Sequence, residues 1–238
     1  MRTIGLIGGM SWESSAEYYR LINESSKRRL GGHHTVRTLM LTVDFGEIEA
    51  LQHRGEWSLL GDKMAEAARQ LQAGGADGIV LCTNTMHSVA TAIESAVSIP
   101  LLHIADATGA AIRAAAFTRV GLLATRFTME GEFYRKRLET KYGLEVFVPS
   151  APDRALVHDV IYDELCHGTV RAESRRTYER VIEFARRARG AGRDSRLHGD
   201  HASDRRQIEF LAGVRHDALA CRSRGRVGTR GRIYFLKK

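Results

Sequence analysis

Short apolar runs and longer amphipathic stretches alternate along the first half of the chain. Thr3 to Ile7 is an apolar run that enters Gly8-Gly9 and then a helical stretch from Ser14 to about Arg29, with Ser11 or Ser14 as N-cap. Val36 to Val43 is a second run, followed by Asp44-Phe45, a short helix through Glu47 to Leu51 and a polar loop, Gln52-His53-Arg54-Gly55-Glu56-Trp57. A helix of Ser58 to Gln72 leads through Gly74 and Gly75 into Gly78-Ile79-Val80-Leu81, which stops abruptly in Cys82-Thr83-Asn84-Thr85-Met86-His87. The pattern then predicts a helix of Ser88 to Val97, a short strand Leu101 to Ile104 and a helix of Ala105 to Ala116. Brief apolar runs between helices read as strands buried on both faces, so the order predicts a parallel, doubly wound α/β sheet.

The pattern restarts at Thr118. Thr118-Arg119-Val120-Gly121-Leu122-Leu123-Ala124 repeats the first strand at an offset of 116, placing Gly121 over Gly5, Leu122 over Leu6 and Tyr134 over Tyr18. Helix over 127–142, strand over 144–148, helix over 153–165 and an arginine-rich helix over 172–187 follow. The prediction is an α/β fold of two pseudo-symmetric Rossmann-like domains with parallel sheets. The first spans 1–100 and the second 101–191, with 192–238 as a basic tail. After Ala191 the repeat calls for another apolar strand, and none is written there. The second domain is therefore incomplete after residue 191, and an unpaired sheet edge is expected.

At 238 residues and 43% hydrophobic content the chain can bury a core without staples. Three cysteines at 82, 166 and 221 lack paired spacing, which argues against a disulfide framework and a zinc site and favours a reducing compartment. His33-His34 and Cys166-His167 have no partner at ligand spacing, so no metal is expected. With no signal-peptide pattern and no long apolar run, the expected location is cytoplasmic, without a membrane partner. Of the net charge of +8, +7 lies in residues 192–238. No specific nucleic-acid partner is expected, although such a tail would attract polyanions nonspecifically.

Candidate chemistry collects where strands meet helices, the usual ligand position in open α/β sheets. The Gly8-Gly9 turn lacks the G-x-G-x-x-G spacing of a dinucleotide site, and Trp12 is bulky where a pyrophosphate would lie. Gly8-Gly9-Met10-Ser11-Trp12-Glu13-Ser14, Cys82-Thr83-Asn84-Thr85-Met86-His87 and Leu102-His103-Ile104-Ala105-Asp106-Ala107-Thr108 together resemble the aspartate/glutamate racemase family over residues 1–191. The resemblance implies racemisation of a small acidic amino acid without pyridoxal phosphate, metal or nucleotide, in a cleft between the two domains. A homodimer is compatible with it. Inverting an α-carbon takes a proton from one face and returns one to the other, so two acid/base groups are required. In the family these are typically cysteines, whose thiolates are tunable bases.

This sequence departs from that pattern twice. Aligned on Asn84-Thr85, the usual Cys-Asn-Thr motif places Thr83, rather than Cys82, at the acid/base position. The Cys-Thr-Asn-Thr branch of the family is similar to enzymes selective for L-substrates, consistent with a threonine hydroxyl being a poorer base than a thiolate. Adjacent strand residues face opposite ways, so only one of Cys82 and Thr83 addresses a substrate. Thr83 is placed ahead, and Cys82 also reads as a small buried hydrophobe. Met10, Ser11, Asn84 and Thr85 are assigned to substrate binding, the last two as carboxylate donors. Gln52, with Arg54 beside it, joins them through the loop after the second strand, where a solvated loop is the alternative, and so does His87, which could instead begin the helix. The second departure is the absence of Gly-Cys-Thr-Glu. With suitable codons, a one-base shift converts residues 192–202 into Ala-Val-Ile-Leu-Gly-Cys-Thr-Glu-Ile-Thr, and the same shift over Val214 to Ala218 yields Phe-Asp-Thr-Thr. Residues 192–238 therefore read as out-of-frame translation, and racemisation is expected to be impaired. The alternative function is an inactive racemase-like protein whose tail binds polyanions.

Overall fold

The structure, a computed structural model, describes residues 2–190, 209–212 and 233–234. Two parallel sheets carry the chain. β1 (Thr3–Gly8), β2 (Arg37–Thr42) and β3 (Gly78–Leu81) form the first, in the order β2-β1-β3. β4 (Arg119–Leu123), β5 (Glu145–Phe147), β6 (Glu209–Ala212) and β7 (Ile233–Tyr234) form the second, in the order β5-β4-β6-β7. In both sheets the earliest strand lies between the next two, so the sequence repeat extends to topology. The helices are α1 (Trp12–Leu30), α2 (Phe45–Arg54), α3 (Trp57–Ala73), α4 (Ala90–Ala96), α5 (Ile104–Ala114), α6 (Arg126–Glu130), α7 (Glu132–Tyr142), α8 (Ala151–Asp163) and α9 (Ala172–Gly190). By contacts, residues 2–108 with 166–168 form one compact unit, and the described residues of 109–165 and 169–237 form another.

In the first unit, α3 packs on β1 and β3, and α4 packs on α3. Leu6, Ile7, Leu60, Met64, Ile79 and Ile93 have no exposed surface, and each such burial contributes about 1.5–3 kcal/mol. β1 pairs with β3 from Ile4–Gly78 to Ile7–Leu81, and the Cys82 N–H donating to the Ile7 carbonyl (2.9 Å) carries the ladder one residue further. The strand ends of β1 and β3 are thereby held side by side.

Three local elements differ from the sequence expectation. The polar loop predicted over 52–57 is mostly helix. Asp44 Oδ1 accepts the Gly46 N–H (2.8 Å), and α2 runs on until left-handed Gly55 closes it onto the Leu51 and Gln52 carbonyls. The strand predicted over 101–104 shrinks to a single bridge between Leu101 and Ile79, because α5 already begins at Ile104 and His103 Nδ1 accepts the Ala105 N–H (3.2 Å). The single helix over 127–142 breaks at Gly131, whose extended ψ of 144° ends α6 and starts α7.

The segment with no apolar run, 192–196, lies outside the described residues, as do the frame change assigned to it and Cys221. β6 nevertheless pairs with β4 from Val120–Glu209 to Leu123–Ala212. β4 thus has a neighbour on each side, and the unpaired edge expected from the sequence does not fall on it.

Candidate active site

The β1–α1 turn is shaped by crowding. At Gly9, φ is +98°, and a Cβ would lie 2.2 Å from the Val43 carbonyl oxygen; at Gly8 it would lie 2.7 Å from Ser15 Oγ. Ser15 Oγ accepts the Gly9 N–H (2.8 Å) and donates to the Ser11 carbonyl (3.0 Å). The two glycines therefore bring the turn against β2 and α1. Ser11 takes the N-cap position of α1 without a side-chain capping bond. Met10, Ser11 and Glu13 are all buried. Ser11 Oγ and Glu13 Oε2 have no hydrogen-bond partner among the described residues.

The β3 end separates its two candidates for proton transfer. Cys82 has no exposed surface, and burial pushes its thiol up to about 12. A thiol with that pKa stays protonated through the physiological range and is a poor nucleophile and base. Thr83, one residue on, is half-buried. Its carbonyl accepts from His87 Nδ1 at 2.7 Å, while His87 Nε2 accepts the Ile104 N–H at 3.2 Å. Since Nε2 is an acceptor, the network assigns His87 the neutral tautomer with its proton on Nδ1. The imidazole, 2% exposed and 4.4 Å from the His103 ring, is a strut between the Thr83 backbone and the start of α5.

Asn84 is half-buried and Thr85 buried. Thr85 opens a single 3-10 turn, Thr85–Val89, in which the His87 N–H returns to the Asn84 carbonyl at 3.1 Å. The helix predicted from Ser88 therefore starts earlier and more tightly. Gln52, buried on α2, donates from Nε2 to Met86 Sδ (3.1 Å), and Ser14 Oγ of α1 donates to the Cys82 carbonyl (3.3 Å). These bonds gather residues from 10–14, 52 and 82–87 around the ends of β1 and β3. Of the residues singled out in the sequence, Arg54 is on the last turn of α2.

Two members of this cluster have no local sequence signal. Glu13 is an acid in the first turn of an amphipathic helix, a common placement that needs no site to explain it. Cys166 rejoins the first unit after an excursion of more than fifty residues. Burial first, then the negative charges of Glu13 and Glu49, push its thiol up to about 12; the nearby Ser11 hydroxyl opposes this weakly, without hydrogen-bond geometry. Among the described residues, no three His, Cys, Asp or Glu side chains converge as metal ligands would, and no helix is long and apolar enough to cross a membrane.

The family model described as Asp/Glu/Hydantoin racemase matches residues 7–194. A solved structure from Yersinia pestis, assigned as an Asp/Glu racemase, is 45% identical, with a TM-score of 0.73 over 88% of this chain and 85% of that one. An aspartate racemase homologue from Pyrococcus horikoshii is 28% identical, with a TM-score of 0.68 over 88% and 84% of the two chains. The Picrophilus torridus aspartate racemase shares the fold at 20% identity, with a TM-score of 0.64 over 89% and 80%.

Proposed function

The chain belongs to the Asp/Glu/hydantoin racemase family, whose members are isomerases, and from this we propose that it takes aspartate or glutamate as substrate and transfers protons through Thr83 in its first unit. Optical inversion is impaired in this particular chain. The observation that carries the assignment is the contrast at the end of β3: a sealed, high-pKa Cys82 next to a half-buried Thr83 whose carbonyl is held by His87.

The chemistry follows from the groups. Removing the α-proton leaves an electron pair shared between the α-carbon and its carboxylate, and N–H and O–H donors stabilise that charge. Asn84 and Thr85, with the Met10-Ser11 turn and Gln52, supply polar groups at the strand ends. His87 acts here by fixing Thr83, because both of its ring nitrogens already meet backbone groups. A threonine hydroxyl delivers a proton to the carbanion more readily than it abstracts one, so Thr83 alone supports only slow exchange, and inversion needs a second base on the opposite face of the α-carbon. In the family pattern that base is the cysteine of Gly-Cys-Thr-Glu, which is absent from this sequence. The loss of that motif is what impairs inversion.

The test is incubation of the full chain in deuterium oxide with L-aspartate and L-glutamate. Loss of the α-proton signal reports proton transfer, and chiral chromatography reports inversion. Slow exchange with little or no inversion is expected. Thr83→Val should abolish the exchange, and Cys82→Ala should leave it within a few-fold. The reverse ranking of the two variants would overturn the assignment of Thr83. Absence of both exchange and inversion in the unmodified chain would overturn the enzymatic reading for this chain.

A further inference from the structure

A carboxylate buried beside a site for acidic substrates requires an explanation. Glu13 is 5% exposed and Ser11 3%. Glu13 Oε2 and Ser11 Oγ are left without hydrogen-bond partners, and Glu13 makes no ion pair among the described residues. An unpaired buried carboxylate is costly, so its retention points to a partner that arrives with a ligand. The first turn of α1 adjoins the end of β3 through the Ser14 to Cys82 hydrogen bond, so Ser11 and Glu13 sit on the element next to the one that carries Thr83 and Asn84. The local field is negative as well: the thiol of Cys166 feels both Glu13 and Glu49.

Such a field repels both carboxylates of aspartate or glutamate. It becomes favourable only toward the one cationic group these molecules carry. An ammonium brings a positive charge and three N–H donors, two of which can satisfy the orphaned carboxylate oxygen and the orphaned hydroxyl.

Resting on the racemase reading above, we infer that Glu13, assisted by Ser11, receives the substrate's α-ammonium group. The first unit therefore selects amino acids over dicarboxylic acids that lack the amine. The interaction also orients the α-carbon, since the ammonium and one carboxylate are then both fixed and the α-hydrogen has a defined direction.

The experiment compares ligands that differ only in the amine. L-aspartate and succinate, and L-glutamate and glutarate, are titrated calorimetrically into the full chain and into Glu13→Gln. For at least one pair, the native chain should bind the amino acid at least tenfold tighter than the diacid. Glu13→Gln should weaken amino-acid binding about tenfold or more while diacid binding is unchanged or tightened. A variant that merely disturbs the fold weakens both members of a pair alike. Equal affinity of the native chain for both members of each pair overturns the inference, whether or not the variant folds, and so does parallel weakening of both in Glu13→Gln. If no ligand of either pair binds the native chain, the acidic-substrate reading itself falls and this inference with it. If diacids bind and amino acids are not preferred, only the role of Glu13 falls.

Discussion

The turns that follow β1 and β4 occupy matching places in the two halves of the chain, yet they are built on different principles. At the offset of 116, Gly8-Gly9 corresponds to Ala124-Thr125. After β4, Thr125 Oγ1 contacts Thr128 Oγ1 at 3.2 Å and accepts the Thr128 N–H, an ordinary helix cap that satisfies its own polar atoms. After β1, the glycines let the Val43 carbonyl and Ser15 press into the turn, and the buried Ser11 and Glu13 retain unpartnered oxygens. One turn spends its polar groups on itself, and the other keeps two in reserve. The comparison teaches that a sequence repeat can preserve strand and topology while function is written into which polar atoms go unsatisfied.

The contrast can be broken most forcefully at Gly9. Gly9→Ala combines a positive φ with a backbone clash, and should cost about 3 kcal/mol or more. At roughly 2–4 °C per kcal/mol for a chain of this size, thermal denaturation should show a fall of about 6–12 °C. The matching change after β4, Thr125→Ala, removes one capping bond and should cost about 1 kcal/mol in chemical denaturation. Ser11→Ala removes a hydroxyl that bonds to nothing in the described structure, so stability should move by less than about 0.5 kcal/mol. If Ser11→Ala destabilises as much as Thr125→Ala, the two turns are not different in kind.

The strands and their order were legible because apolar runs bounded by glycines are local signals, and β1, β3 and β4 lie where those runs lie. The strand-end chemistry at 82–87 was legible for the same reason. His53, Arg54 and Gly55 read as polar and flexible, so the sequence alone places Gln52 in a loop. The Asp44 cap and the left-handed Gly55, acting together, keep it helical and turn its amide toward Met86. Cys166 could not be placed from its neighbours in sequence, since what matters is a contact with residues more than 150 positions earlier. Nor could Glu13, because a helix-start acid looks the same whether or not its second oxygen finds a partner. The neighbour of β4 was expected where the apolar run had been lost, and the structure draws it from Glu209–Ala212 instead.

The return of residues 166–168 to the first unit has a consequence for how the chain is made. The first unit is discontinuous, so it cannot be completed when residue 108 leaves the ribosome. It must wait for the 60 residues of 109–168 to be synthesised, a delay of about 3–12 s at typical elongation rates. During that interval the buried acid of α1 lacks the segment that later packs beside it. The boundary itself falls inside α5, between Thr108 and Gly109. No single proteolytic cut in a loop would therefore release either unit intact, and gene truncations at 108 should produce a nascent chain that engages chaperones rather than a minimal domain.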